Sequence, residues 1–347
     1  MVERKRIPRQ TVSNLIPPFA DYVYFEDPHR FPFRPLAAEF DPVNAGWLMD
    51  ASMLVYGEEG WIRERVSRFA EAVRGVRVRL FNGTSTQGLV LQLPEVVIVA
   101  FRGTRIDRIL DGIDLLPRPA GAPAEERRRA GVLWAVNWRD FLSDAKFALG
   151  SDGIHLGFRQ ALDQPGVWTE IVAYLATLGE RPVWFTGHSL GAALATIAAA
   201  RYAAMRPVQG LYTFGSPRVG NRQFVQSVPA NAMRIVNNAD LVAGLPPPIA
   251  GYKHAGQFKF LCAQGTIGDD HRNRDPWQVR LQKTLTALQQ LVPEGVKRGL
   301  SNPREFLQRL QELDIELPQS RWSDHAPVNY ACKIWNAVTE PDGKPVG

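Results

Sequence analysis

Four short runs of the sequence, EVVIVAF, RPVWFTG, GLYTFGS and AMRIVNN, are apolar on both faces, and helical patterns lie between them. A strand that is apolar on both faces must be covered on both, and parallel strands need a long crossover between them, usually a helix. The alternation therefore predicts an α/β fold with a mostly parallel central sheet flanked by helices. Ahead of these runs, GVRVRLFNG and LVLQLP alternate around the turn TSTQG and read as a half-buried antiparallel pair. Trp47, Leu48, Ala51, Leu54 and Val55 recur at helical spacing, as do Ile62, Val66, Phe69, Ala70 and Val73, which predicts two helices separated near Gly57 and Gly60. GFRQALDQPGVWTEIVAYLATL reads as a further helical segment.

With 347 residues, 45% of them hydrophobic, the chain can bury a large core. Residues 1–36, rich in proline, aromatics and charge, read as an extended arm without a helix or strand of its own, and 37–347 as one domain. Lys+Arg 41 against Asp+Glu 35 gives a net charge of +6, too weak an excess over so much surface to point to nucleic acid. Pro17, Pro18 and Asp21 interrupt the apolar patch near the start, so no signal-peptide core is expected, and no uncharged apolar stretch of about 18 residues occurs. The default expectation is a soluble, cytoplasmic protein; peripheral membrane contact or leaderless export is compatible with it. Cys262 and Cys332 fit no metal motif and read as two free thiols, and no metal or other cofactor is called for. Asn82-Gly83-Thr84 reads as a polar turn.

One feature of the second run needs a chemical explanation. After PVWFTG the chain reads GHSLGAALATIAAA, which places Ser189 between Gly187 and Gly191 at a strand-to-helix turn. That is the context of a G-x-S-x-G nucleophile elbow, where a strained turn exposes the hydroxyl and any flanking side chain collides with strand or helix. Ala192, Ala195 and Ala199 let the helix approach the sheet, and its N-terminus favours negative charge near the serine. A serine hydroxyl needs a base, and the base an orienting acid. Of six histidines, His29 lies in the arm, His188 adjoins the nucleophile and is expected to point elsewhere, His155 and His254 sit in structured segments, and His271 is surrounded by charge. His325, in SRWSDHAPVNY, is expected on a loop from which a base reaches Ser189. For the acid, Asp240 opens a loop after AMRIVNN; Asp324 is the main rival, and Asp269 and Asp270 are weaker ones. The order serine, aspartate, histidine is that of the α/β-hydrolase arrangement.

Together with VVIVAFRGT, NWRDFLSDAKF, GIHLGFRQAL, LYTFGSPRVGN, RIVNNADLVAGLPP and DHAPVNY, the segment GHSLGAALA makes the sequence resemble the class 3, fungal-type triacylglycerol lipases. The resemblance covers about residues 52–330. It implies an α/β-hydrolase fold, with Ser189 as nucleophile, Asp240 as orienting acid and His325 as general base. It also implies an oxyanion hole made by Thr104, through its backbone N–H and hydroxyl, and by the backbone N–H of Leu190.

The sequence departs from the family at two insertions. Within 105–136, Ile106, Ile109, Leu110, Ile113 and Leu116 fall on one helical face, a lid-like pattern suited to transient contact with a lipid interface; AGAPAEERRRAG within it reads as a surface segment. Within 272–322, Trp277, Leu281, Leu285, Leu288 and Val292 predict a helix of a helical cap, followed by a second around Phe306–Leu313. A packing role competes with the functional one in both insertions. The reading is a cofactor-independent serine hydrolase whose partner is a lipid ester, most simply an acylglycerol lipase. A phospholipase, a short-chain or aromatic-acid esterase, and a silent lipid-binding protein are the alternatives.

Overall fold

The computed structural model describes residues 5–15, 17–19, 21–103, 148–240, 242–246, 251–263, 265–269 and 321–338. The lid-like helix expected within 105–136, the cap helices of 272–322, His271, Asp270 and Thr104 lie outside the described residues.

The polypeptide enters through α1 (Val12–Leu15), then α2 (Pro42–Leu54) and α3 (Glu59–Ala72). Asp41 caps α2 by accepting from Asn44 N–H at 2.9 Å, with Pro42 at the first helical position. Strands β1 (Arg77–Asn82), β2 (Gln87–Gln92) and β3 (Val97–Phe101) form an antiparallel meander. Next come α4 (Leu156–Leu162), α5 (Trp168–Ala176), β4 (Val183–His188), α6 (Leu190–Ala203), β5 (Gly210–Phe214), α7 (Arg222–Val225), β6 (Ala232–Asn237), β7 (Gln257–Leu261) and β8 (Ile267–Gly268). Helices α8 (Arg321–His325) and α9 (Pro327–Ala337) follow. The eight strands lie in chain order, with β3 to β7 mutually parallel and β8 antiparallel to β7.

The four doubly apolar runs are β3 to β6, each buried along its length. Two apolar layers explain why. On one face Trp184, Tyr212, Phe214 and Ile235 pack with α2 and α9, while on the other Val99, Phe101 and Phe185 pack with α4, α5 and α6. The single helical segment expected between β3 and β4 is two helices, because α4 ends at Leu162 and Asp163-Gln164-Pro165-Gly166 separates it from α5. Gly166 takes φ +81°, a conformation outside the helical range. Strands β7 and β8 have no counterpart in the sequence reading. In β7 the alternation is blunted, since Lys259 pairs with Asp269 at 2.7 Å and Phe258 and Phe260 remain partly exposed. Among the described residues, no helix is long and apolar enough to cross a membrane.

The described residues of the N-terminal segment meet α2 and α9, and they include the single-turn α1 where no helix was expected. Backbone groups of the arm meet side chains of the core: Trp47 Nε1 donates to Phe31 O at 2.8 Å, Trp184 Nε1 to Pro35 O at 3.0 Å, and Asn336 exchanges two hydrogen bonds with the Lys5 backbone. The fully buried Asp50 holds the centre of the arm, accepting from Tyr22 OH at 2.7 Å, Phe25 N–H at 2.7 Å and Trp335 Nε1 at 3.2 Å. Burial pushes the Asp50 carboxyl up to about 6, and the three donors and nearby Lys5 offset only part of that.

A carboxyl whose folded pKa lies above its unfolded one favours folding while protonated, so the contribution is complete below about pH 4 and lost as pH rises through about 6. Between those limits Asp50 alone removes about 3 kcal/mol of stability as the pH is raised. Denaturant unfolding of wild type and Asp50→Asn between pH 4 and 7 will show this slope in wild type only; parallel curves would contradict it.

Candidate active site

Ser189 stands where β4 meets α6, with φ +62° and ψ −127°. A non-glycine residue at positive φ is strained, and the surrounding backbone must over-determine it. Here Ser189 N–H donates to Phe214 O at 3.0 Å, and Ser189 O accepts from Ala192 N–H at 3.0 Å as the first turn of α6 closes. The flanking glycines are sterically required. A Cβ on Gly187 would lie 2.2 Å from Gly191 O, and one on Gly191 would lie 2.1 Å from Phe101 O. Ala192, Ala195 and Ala199 are buried against the sheet, as their size predicted.

Three elements distant in sequence converge on the hydroxyl. Asp240 leaves the turn after β6, and its Oδ1 accepts from Val242 N–H at 2.8 Å. His325 is the last residue of α8 rather than part of a loop, because the chain turns helical at Arg321, just before it. His325 Nε2 lies 2.9 Å from Ser189 Oγ, and Nδ1 lies 2.9 Å from Asp240 Oδ2. All three side chains are buried. Gly215, at φ +58°, passes so close that a Cβ there would lie 2.7 Å from Asp240 Oδ2 and 3.0 Å from His325 Nδ1.

Asp240 is held from both sides. Tyr330 OH on α9 donates to Asp240 Oδ2 at 2.6 Å, while the Tyr330 oxygen accepts from Asn237 N–H at 2.9 Å. Asp324, the rival acid, faces away from the imidazole. Its Oδ2 accepts from Asn238 Nδ2 at 2.9 Å and Ala239 N–H at 3.2 Å, so it pins the turn that carries Asp240. Burial raises the Asp324 pKa, and the nearby Lys333 ammonium counteracts this. Asp269 is engaged with Lys259.

Of the other described histidines, His188 is the one in ring contact with His325. His29 is exposed on the arm. His155 caps α4, its Nδ1 accepting from Gly157 N–H at 3.1 Å, and burial lowers its pKa to about 4. His188, expected to point elsewhere, instead lies against His325, with ring centroids 4.6 Å apart. Tyr330 and Asn237 also belong to the site and were passed over in the sequence, where their only marker is proximity to DHAPVNY and RIVNNADL.

For charge developing beside Ser189, Leu190 N–H at the first position of α6 is one donor without an intrahelical acceptor, as first-turn N–H groups are. Such an arrangement can move a proton from hydroxyl to imidazole while a buried carboxylate steadies the cation that forms. Cys262 and Cys332 are free thiols, and Cys332 is buried.

Residues 129–249 match the family described as Lipase (class 3). The secreted mono- and diacylglycerol lipase 1 of Fusarium solani is 34% identical over 147 residues, which is 38% of this chain and 42% of that protein. The chloroplastic phospholipase A(1) DAD1 of Arabidopsis thaliana is 30% identical over 181 residues, 48% of this chain and 37% of that protein. Each match thus spans roughly two fifths of the relative's own length. The crystal structure of the lipase from Rhizopus microsporus var. chinensis superposes with a TM-score of 0.45 at 20% identity, covering 68% of this chain and 80% of that one. The matched segment begins ahead of α4, contains the elbow serine and runs past Asp240, so over residues 129–249 the chain is similar to the class 3 lipases.

Proposed function

We propose that the protein hydrolyses carboxylic esters of acylglycerols through an acyl-enzyme formed on Ser189. The observation that carries this reading is the unbroken line from Asp240 through both nitrogens of His325 to Ser189 Oγ, with heavy-atom separations of 2.9 Å at each junction. As Ser189 Oγ attacks the ester carbonyl carbon, His325 Nε2 takes its proton. The carbonyl oxygen becomes an anion facing Leu190 N–H, with Thr104 as the second donor implied by the family, each such donor contributing about 3–4 kcal/mol. The tetrahedral species expels the alcohol, which leaves with the proton from His325. Water then attacks the acyl-enzyme by the same route, returning a carboxylic acid and the free serine.

Acylglycerols are favoured as substrates because the family is a lipase family and the Fusarium relative bears the name of a mono- and diacylglycerol lipase. A phospholipase reading is favoured by the Arabidopsis relative. Hydrolysis of p-nitrophenyl esters from acetate to palmitate, alongside emulsified mono-, di- and triacylglycerols and phosphatidylcholine vesicles, separates them. The expected result is fatty-acid release from acylglycerols in excess of that from phosphatidylcholine. Release from phosphatidylcholine alone would transfer the assignment to a phospholipase, and turnover confined to short-chain esters would remove lipids from it.

A further inference from the structure

Tyr56 follows α2, and its hydroxyl lies 3.3 Å from His188 Nδ1, while His188 Nε2 lies 2.8 Å from the backbone oxygen of His325. A carbonyl only accepts, so Nε2 carries the hydrogen. In the neutral ring Nδ1 is then bare and accepts the Tyr56 O–H. The donors run one way, from Tyr56 through His188 to His325. They link the end of α2, the nucleophile elbow and the base, three segments far apart in sequence.

We propose that His188, locked in one tautomer by Tyr56, is a positioning residue that sets the pose of His325 over Ser189; this rests on the assignment of those two residues as base and nucleophile. Asp240 fixes Nδ1 of the base but leaves the imidazole free to swing about that contact. Two further restraints remove the freedom. The His188 ring lies against the His325 ring, with centroids 4.6 Å apart and planes 35° apart, and its Nε2–H satisfies the carbonyl that ends α8, a group without an intrahelical partner. Neutrality matters as well. When His325 takes the proton from Ser189, a second cation stacked beside it would oppose the transfer. Burial, and then the neighbouring imidazole, both hold the His188 pKa well below its ordinary value.

The test compares His188→Phe, His188→Gln and Tyr56→Phe with wild type by kcat, KM and thermal midpoint on a soluble p-nitrophenyl ester. Phenylalanine keeps the ring and loses the donor, whereas glutamine places an amide N–H near the position of Nε2. The expected result is a fall in kcat of about 10- to 100-fold for His188→Phe with KM within about twofold, since small misplacements of a reacting group cost rates of this order. His188→Gln will recover to within a few-fold of wild type, and Tyr56→Phe, which lacks one oxygen atom, will lose about 3- to 10-fold in kcat. The proposal is overturned if folded His188→Phe retains wild-type kcat, if His188→Gln is as slow as His188→Phe, or if the loss lies in KM. Should His188→Phe fail to fold, Tyr56→Phe decides alone, and an unchanged kcat overturns the proposal. Failure of the underlying assignment shows in wild type by itself, as absence of both ester turnover and fluorophosphonate labelling.

Discussion

Ser189→Ala will lower kcat for ester hydrolysis by about 10⁵- to 10⁶-fold while leaving the fold intact, a loss of the size seen when a triad nucleophile is removed elsewhere. The change deletes one oxygen whose hydrogen-bond partner within the site is His325 Nε2. It leaves the strained φ of +62° equally acceptable to either side chain and keeps both backbone hydrogen bonds of residue 189. The thermal midpoint is therefore expected to stay within a few degrees of wild type, about the shift that 1 kcal/mol produces in a domain of this size. What remains will be the weak catalysis of the oxyanion donors and of binding alone. A Ser189→Ala protein that retains more than about a tenth of wild-type turnover would remove this serine from the mechanism, because no other hydroxyl has been assigned to replace it.

Asp240→Asn will cost about 10⁴-fold in kcat, and the loss comes through a tautomer rather than through a missing contact. Asp240 Oδ1 accepts from Val242 N–H at 2.8 Å and lies 3.0 Å from His325 Nδ1, while Oδ2 accepts from Tyr330 OH at 2.6 Å and lies 2.9 Å from His325 Nδ1. An asparagine oxygen must stay on Val242, since an amide NH₂ there would meet another donor. The NH₂ group then occupies the Oδ2 position, 2.9 Å from Nδ1, where a ring N–H would meet another donor, so Nδ1 becomes the acceptor and the ring hydrogen moves to Nε2, which points at Ser189. A nitrogen that already carries a hydrogen cannot take one from the serine. The side chain is nearly isosteric, so expression and thermal midpoint will stay close to wild type while kcat and the rate of fluorophosphonate labelling fall together. Equal activity of Asp240→Asn and wild type would show that the carboxylate does not orient the base.

The parts of this protein legible in its sequence are those governed by local periodicity and short-range sterics. Doubly apolar runs identified β3 to β6 because burial on both faces leaves no room for polar alternation. The glycines at 187 and 191 marked the elbow because backbone approaches of 2.1–2.2 Å to a would-be Cβ exclude every other residue. Asp240 and His325 were reached through chain order and an expected loop position; the structure sets His325 beside Ser189 and Asp240 beside His325, although His325 ends α8 and does not lie on a loop. Strands β7 and β8 were missed because their exposure hides the alternation. His188 was set aside because adjacency to the nucleophile suggested a side chain directed away from it. Its actual partners, Tyr56 and His325, lie 132 and 137 residues away, separations at which periodicity carries no signal. The same holds for Tyr330, whose hydroxyl reaches Asp240 from 90 residues distant. Asp324 was weighed as an acid when its carboxylate instead fastens the turn at Asn238 and Ala239, a use that only tertiary placement reveals.

The most direct measurement is the site and stoichiometry of covalent modification of the folded protein by a fluorophosphonate, read by mass spectrometry of the intact chain and its peptides. One adduct per chain is expected, on Ser189, forming orders of magnitude more slowly in His325→Ala. Absence of an adduct on folded wild type, an adduct on another residue, or an unchanged rate in His325→Ala would contradict it.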